Sequence, residues 1–207
     1  MPEISAVIFD IGNVLIEWQP ERYYDARFGE ARRKAMFETV DLHAMNDRID
    51  RGEGFKDVVY ETADLYPAFR DEIRLWHDDW AALATPEISL SVTLLRALRK
   101  TGTPVFTLTN FGIETFEIGE AAYPFLKEFD RRYISGHMKC IKPDAQIYDM
   151  VEKDCALPAG ELLFTDDRID NIKAAASRGW HTHHFTSPEG WRDCLFSHGL
   201  LQAKDIL

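Results

Sequence analysis

Residues 7–17 read VIFDIGNVLIE. An apolar run ends in a single acid, Asp10. A glycine follows two residues later at Gly12, and the chain then turns apolar again. Residues 4–9 (ISAVIF) have no polar alternation, which predicts a strand buried on both faces, the pattern of a parallel sheet covered by helices. Such a strand delivers one carboxylate to its own tip.

Residues 20–85 read as helices only. Phe55, Val58, Val59 and Thr62 fall at i, i+3, i+4 and i+7, and Phe69, Ile73, Trp76 and Trp80 repeat on one helical face. Pro20 suits a helix first turn and Pro86 closes the region. Beyond it the rhythm alternates. A helix marked by Val92, Leu95 and Leu98 ends at KTGTP, followed by a strand at 104–108 (PVFTL). Strands follow at 131–135, 161–165 and 180–185, with helices from Pro143 through DAQIYDMVEK and over 168–178. This alternation implies right-handed crossovers and a Rossmann-like parallel sheet, an α/β fold. The helical block is too long for one crossover, so it reads as an inserted cap. The expected division is a core of 1–17 and 86–207 with a cap of 18–85.

The composition narrows the partners. The 207 residues are 45% hydrophobic and 29% charged, enough for a buried core. The formal net charge is −11, with 35 acids against 24 Lys plus Arg, which gives no electrostatic support for nucleic-acid or peripheral membrane binding. Cys140, Cys155 and Cys194 form no C-x-x-C and read as reduced thiols. With no signal-peptide pattern at MPEISAVIFD and no membrane-length apolar run, the expected location is the cytoplasm. The oligomeric state is left open by the sequence.

The polar residues at the strand ends carry the chemistry. Asp10 ends the first strand, Thr109-Asn110 follow the 104–108 strand, and Asp166-Asp167 follow the 161–165 strand. In an open parallel sheet these ends share the edge where ligands bind. Three carboxylates gathered there repel and move toward protonation unless a cation joins them. Mg²⁺, bound through oxygens with several waters retained, suits such a site. Lys142, ahead of Pro143, adds a second positive charge. Together these groups suit the oxygens of a phosphoryl group.

In this order the residues resemble the haloacid dehalogenase (HAD)-like hydrolases. The family's D-x-D-x-[TV]-[LV] stands here as Asp10-Ile-Gly12-Asn-Val14-Leu15, its Ser/Thr strand end as Thr109, its lysine as Lys142 in Lys-Pro, and its acidic pair as Asp166-Asp167. The resemblance implies a phosphatase acting on a small phosphate ester through an aspartyl-phosphate on Asp10. It implies phosphoryl binding by Thr109, Asn110 and Lys142, and Mg²⁺ held by Asp10, the Gly12 carbonyl, Asp167 and, through water, Asp166. The departure is Gly12, where most family phosphatases carry an acid–base Asp. D-x-G-N-V is similar to a branch that includes sugar-1-phosphate phosphatases.

Competing readings exist for each residue. Asp166 or Asp167 can cap the following helix, Thr109-Asn110 can be a plain turn, and Asn171 reads as a local hydrogen-bonding residue. His181–His184 (HTHH) lack acidic or thiol partners at metal-ligand spacing. Trp18 falls close enough to Asp10 to help wall the site. A metal-free 2-haloacid dehalogenase and a weakened phosphate-binding protein are the rival functions; the acidic pair argues against the first and retention of Asp10, Lys142 and Asp167 against the second.

Overall fold

A computed structural model describes residues 3–206. Among the described residues, seven strands run in chain order as β1 (Ala6–Phe9), β2 (Ile16–Trp18), β3 (Ala84–Glu87), β4 (Val105–Thr109), β5 (Arg131–Ile134), β6 (Leu162–Asp166) and β7 (His181–His184). Five of them form one parallel sheet in the order β5-β4-β1-β6-β7. β1 is therefore central, and the chain leaves it for β4 and β5 on one side before returning to β6 and β7 on the other. That reversal opens a crevice at the carboxyl ends of β1, β4 and β6, where ligands of doubly wound sheets bind.

Alternation along β1 divides the core. Val7 and Phe9 face the layer that holds Val92, Leu95, Trp191 and Leu195. Ala6 and Ile8 face the opposite layer, with Ile147, Tyr148, Val151 and Trp180. The Phe9 ring meets Trp191 edge-on at 5.5 Å. Helices thus cover both faces, which is why β1, β4 and β6 are buried at every residue. The expected α/β architecture is present.

Between β2 and β3 lie helices Pro20–Phe28, Glu30–Thr39, Leu42–Asp50, Phe55–Leu65, Arg70–Asp78 and Trp80–Leu83. They form an extensive helical region consistent with a cap. Two local expectations need correction. Residues 84 and 85 are not helical, because β3 pairs antiparallel with β2 and carries Pro86 within it. Pro143 does not open a helix either. A turn closed by the Asp144 N–H on the Ile141 carbonyl at 2.9 Å intervenes, and the helix runs Ala145–Cys155.

Among the described residues, no helix is long and apolar enough to cross a membrane.

The helix Ala145–Cys155 is fastened to the 169–177 helix and β7 through Glu152. Its carboxylate accepts from Arg178 at 2.7 and 2.8 Å and from the Trp180 indole at 2.7 Å. The Arg178 hydrogen bonds hold Glu152 below its usual value of 4.5. A lowered carboxyl stabilises the fold above its unfolded-state value, and the contribution fades as pH falls through the folded-state value. Glu152→Gln is expected to cost ~1–2 kcal/mol in urea unfolding at neutral pH, with the deficit shrinking as pH falls past the free-chain value and vanishing only below the lower folded-state value. A deficit of equal size at both ends would show that charge is not its source.

Candidate active site

Asp10 leaves β1 as its backbone N–H donates to the Thr165 carbonyl at 3.0 Å, which ties the tip of β1 to β6. Its Oδ1 accepts from the Ile11 N–H at 2.7 Å and pairs with Lys142 Nζ at 3.0 Å. No protein donor reaches its Oδ2 among the described residues. The Lys142 ammonium, 2% exposed, also donates to the Leu108 carbonyl at 2.9 Å and to Asp166 Oδ2 at 2.6 Å. Three acceptors meet three ammonium hydrogens, so the lysine is fixed by full use of its donors. Burial alone pulls Lys142 down, but the charges of Asp10 and Asp166 outweigh it and hold the ammonium above its usual range.

Asn110 positions that lysine. Its Oδ1 accepts from the Lys142 N–H at 2.8 Å and its Nδ2 donates to the Lys142 carbonyl at 3.0 Å. The side-chain amide clamps one residue's backbone from both sides, joining the end of β4 to the lysine loop. Thr109, at the end of β4, is buried and lines the same cavity as Asp10.

Asp166 and Asp167 differ in surroundings. Asp166 is fully buried, and its two oxygens accept from Lys142, from Asn171 Nδ2 at 3.0 Å and from the Arg168 N–H at 2.8 Å. Asp167 is half-buried and accepts from Asn13 Nδ2 at 3.0 Å. Asn13 has φ 54°, in the left-handed region that asparagine tolerates better than other side-chain-bearing residues. Its Oδ1 takes the Trp18 N–H at 3.0 Å, so one amide links the turn after Asp10 to Asp167 and to β2.

Carboxylate oxygens of Asp10, Asp166 and Asp167 all lie within 4.8 Å of one another. Burial pushes the Asp10 carboxyl up, Lys142 opposes this, and the charges of Asp166 and Asp167 add to it. Burial also raises Asp167. Three acids thus face one ammonium, and Asn171 Oδ1 is a buried acceptor without a partner beside them. This donor set, rich in oxygen and short of positive charge, fits a hard divalent cation.

Gly12 lines the same cavity, and a Cβ built on it meets nothing within 4 Å. Neither space nor a positive φ demands a glycine at this position.

The cavity, of about 340 Å³, lies between the sheet edge and the helical region. Trp18, Trp80 and Phe111 wall it, and Trp18 therefore stands where the sequence placed it. These rings continue one another: Trp76 meets Trp18 at 5.5 Å, Trp18 meets Trp80 at 6.0 Å, and Trp80 meets Phe111 at 5.4 Å. A second cavity of about 830 Å³ shares Asn13, Trp18, His43 and Asn46 with the first and extends between Phe37, Leu42 and Trp76. Sequence reading missed Asp50, Asn46 and His43, which reach the first cavity from the helix Leu42–Asp50. Apolar periodicity marks what a helix buries and carries no signal for which polar residue meets a distant loop. The HTHH strand lies outside this cavity.

No protein-family model matches the chain. It is 28% identical over 192 residues to a sesquiterpene phosphatase, astK, of Aspergillus oryzae, a match covering 88% of this chain and 90% of that protein. A drimenol cyclase, drtB, of Aspergillus calidoustus is 23% identical over 188 residues, covering 85% of this chain but 33% of the cyclase, so the chain spans about a third of that relative. Among solved structures, the HAD family enzyme bt-2542 of Bacteroides thetaiotaomicron superposes with a TM-score of 0.74 at 23% identity, covering 94% of this chain and 99% of that one. The same enzyme in complex with magnesium and inorganic phosphate superposes at 0.70 with 22% identity, covering 92% and 98%. The chain therefore has the fold of the HAD-family enzymes.

Proposed function

We propose that this protein is a HAD-like hydrolase, a Mg²⁺-dependent phosphatase of small phosphate monoesters with Asp10 as the nucleophile. The observation that carries the reading is the Asp10 carboxylate, held through one oxygen by Lys142 and left free at the other beside Asp167. A relative at 28% identity is named a phosphatase, and a structure of the same fold was solved with magnesium and inorganic phosphate.

Asp10, the Gly12 carbonyl and Asp167 would hold the cation, with Asp166 reaching it through water. The bound cation would neutralise the phosphoryl oxygens and draw charge from phosphorus. The chain's own residues do the rest. Thr109 Oγ1 and the Asn110 N–H donate to the phosphoryl oxygens. Lys142 keeps Asp10 ionised against burial and offsets the incoming negative charge. Asp10 attacks phosphorus, the alcohol departs, and water hydrolyses the resulting aspartyl-phosphate. A dehalogenase attacking carbon has no need of three clustered carboxylates, so the cluster favours phosphoryl transfer.

Residues 18–85 act in this reading as the cap over 1–17 and 86–207. Its walls favour a substrate with an apolar body. Trp18, Trp76, Phe37 and Leu42 line the space leading away from Asp10, and the relative named a sesquiterpene phosphatase agrees with that lining. The D-x-G-N-V resemblance instead suggests a sugar 1-phosphate, whose hydroxyls would look to the polar residues of the same lining, Glu38, His43 and Asn46 among them.

Phosphate release from aryl and prenyl phosphates is expected to require Mg²⁺ and to disappear with EDTA; equal turnover with and without metal would contradict the assignment. Asp10→Asn should retain the fold by circular dichroism and lose ~10⁴ or more in turnover, as expected for removal of a covalent nucleophile. Along a series of n-alkyl phosphates, kcat/KM should rise by up to about fourfold for each methylene the aromatic walls bury, ~0.8 kcal/mol. A flat series with efficient cleavage of glucose 1-phosphate would select the sugar phosphate instead.

A further inference from the structure

Gly12 leaves the phosphatase reading without a side chain to protonate the departing oxygen. Of the other acids that line the cavity, Glu17 pairs with Arg22 and Asp47 is exposed, which leaves Asp50. Asp50, the last residue of the helix Leu42–Asp50, is 8% exposed and lines the same cavity as Asp10 and Gly12. Its Oδ2 accepts from Asn46 Nδ2 at 2.8 Å, and Asn46 Oδ1 in turn accepts from the Trp76 indole at 3.2 Å. Its backbone carbonyl accepts from Ser135 Oγ at 2.7 Å, and the same hydroxyl accepts from the Phe111 N–H at 2.8 Å. The carboxylate also faces the Gly112 backbone N–H. Asp50 is thus located from both sides, by the helical region and by the loop that follows Thr109 and Asn110.

What it lacks is a cation. No Lys, Arg or His pairs with Asp50 among the described residues, whereas buried acids are ordinarily paired. A buried, unpaired carboxyl on the wall of a cavity, across from a nucleophile, is an expensive feature to maintain and marks a functional group. The alternatives on the same helix, His43 and Asp47, are exposed to solvent.

Resting on the phosphatase reading, we propose that Asp50 is the general acid–base of the reaction and supplies from the cap the proton that the core lacks at Gly12. As Asp10 bonds to phosphorus, the bond from phosphorus to the ester oxygen breaks. That oxygen takes the proton of the Asp50 carboxyl and leaves as the alcohol. Water then attacks the phosphorus of the aspartyl-phosphate and gives a proton to the Asp50 carboxylate. The bond to Asp10 breaks, inorganic phosphate leaves, and both carboxyl groups return to their starting states.

The surroundings of Asp50 suit both directions of transfer. Burial pushes its carboxyl up to about 7, with Asp47 and Asp10 adding to the rise and Lys142 opposing it. A group that exchanges its proton near neutral pH donates and accepts with comparable ease. The assignment also explains how an apolar alcohol can be a substrate. An alkoxide is a poor leaving group and departs only when protonated, so an enzyme without an acid would be confined to easily departing groups.

The test is the dependence of kcat/KM on the leaving group, measured with Mg²⁺ across dinitrophenyl, nitrophenyl, phenyl and alkyl phosphates. kcat/KM reports formation of phospho-Asp10 alone, so hydrolysis of that species does not enter. The wild type should show a shallow dependence. Asp50→Asn should lose ~10²–10⁴-fold on alkyl phosphates and less than about tenfold on dinitrophenyl phosphate, steepening the slope. A parallel loss across the series in a folded variant, as expected of a structural anchor, would overturn the role of Asp50 and leave the phosphatase reading intact. Should Asp50→Asn not fold, the wild-type slope decides: a steep slope means that no acid assists departure, and the proposal fails. Wild-type protein that releases no phosphate even from dinitrophenyl phosphate would overturn both readings.

Discussion

The site is built around one buried ammonium. Lys142 spends its three hydrogens on the Leu108 carbonyl, Asp10 and Asp166, and by doing so joins the ends of β4, β1 and β6. Removing any of these charges from water is costly, and the pairing offsets that cost where the hydrogen bonds are complete, at the Lys142 ammonium and the Asp166 carboxylate. Asn110 adds the necessary precision by gripping the Lys142 backbone through both ends of its amide. The sheet order places these strands side by side, so the network follows from topology. The surplus of carboxylates over ammonium is the remaining imbalance, and a site that keeps such an imbalance is better suited to ligand than to stability.

The other half of the site comes from the helical region. β2 and β3 form a short antiparallel pair that carries the chain into it and back, and Asn13 ties the entry to Asp167. The ring series from Trp76 through Trp18 and Trp80 to Phe111 then runs from the helices down to the loop after β4. This arrangement puts the carboxylate cluster at the sheet edge, with the aromatic series and the polar residues of the helix Leu42–Asp50 above it. The open space at Gly12 and the unpaired acid at Asp50 face one cavity from different elements. Under the proposed mechanism they are two parts of one change, with the proton donor moved from the turn after β1 to the helix Leu42–Asp50.

Much of this was legible in the residues. The strands of the large sheet are readable because burial on both faces removes polar alternation, so ISAVIF, PVFTL and ELLFT stand out as apolar runs ending in polar residues. Asp10, Asp166 and Asp167 follow, since parallel strands must bring their carboxyl ends together; Lys142 sits in a loop, and only its place ahead of Pro143 and the order of the motifs pointed to it. What stayed hidden depends on partners distant in sequence. β2 and β3 are three and four residues long, and ATPE has no period and contains a proline, so only their mutual pairing makes them strands. Asp50 shares the segment 41–50 with two other acids, and its burial arises from docking against Gly112 and Ser135. Asn110 reads as a phosphoryl-binding residue with a plain turn as its rival, and nothing local signals that its side chain holds a loop more than thirty residues away.

The central claim is that Asp10 and Asp167 share one divalent cation while Asp10 accepts the phosphoryl group. A crystal structure of the protein with Mg²⁺ and beryllium fluoride tests it most directly. Beryllium is expected on Asp10 Oδ2, with the cation at about 2.0–2.1 Å from Asp10, the Gly12 carbonyl and Asp167. A fluoride adduct elsewhere, or a cation bound without Asp167, would contradict it.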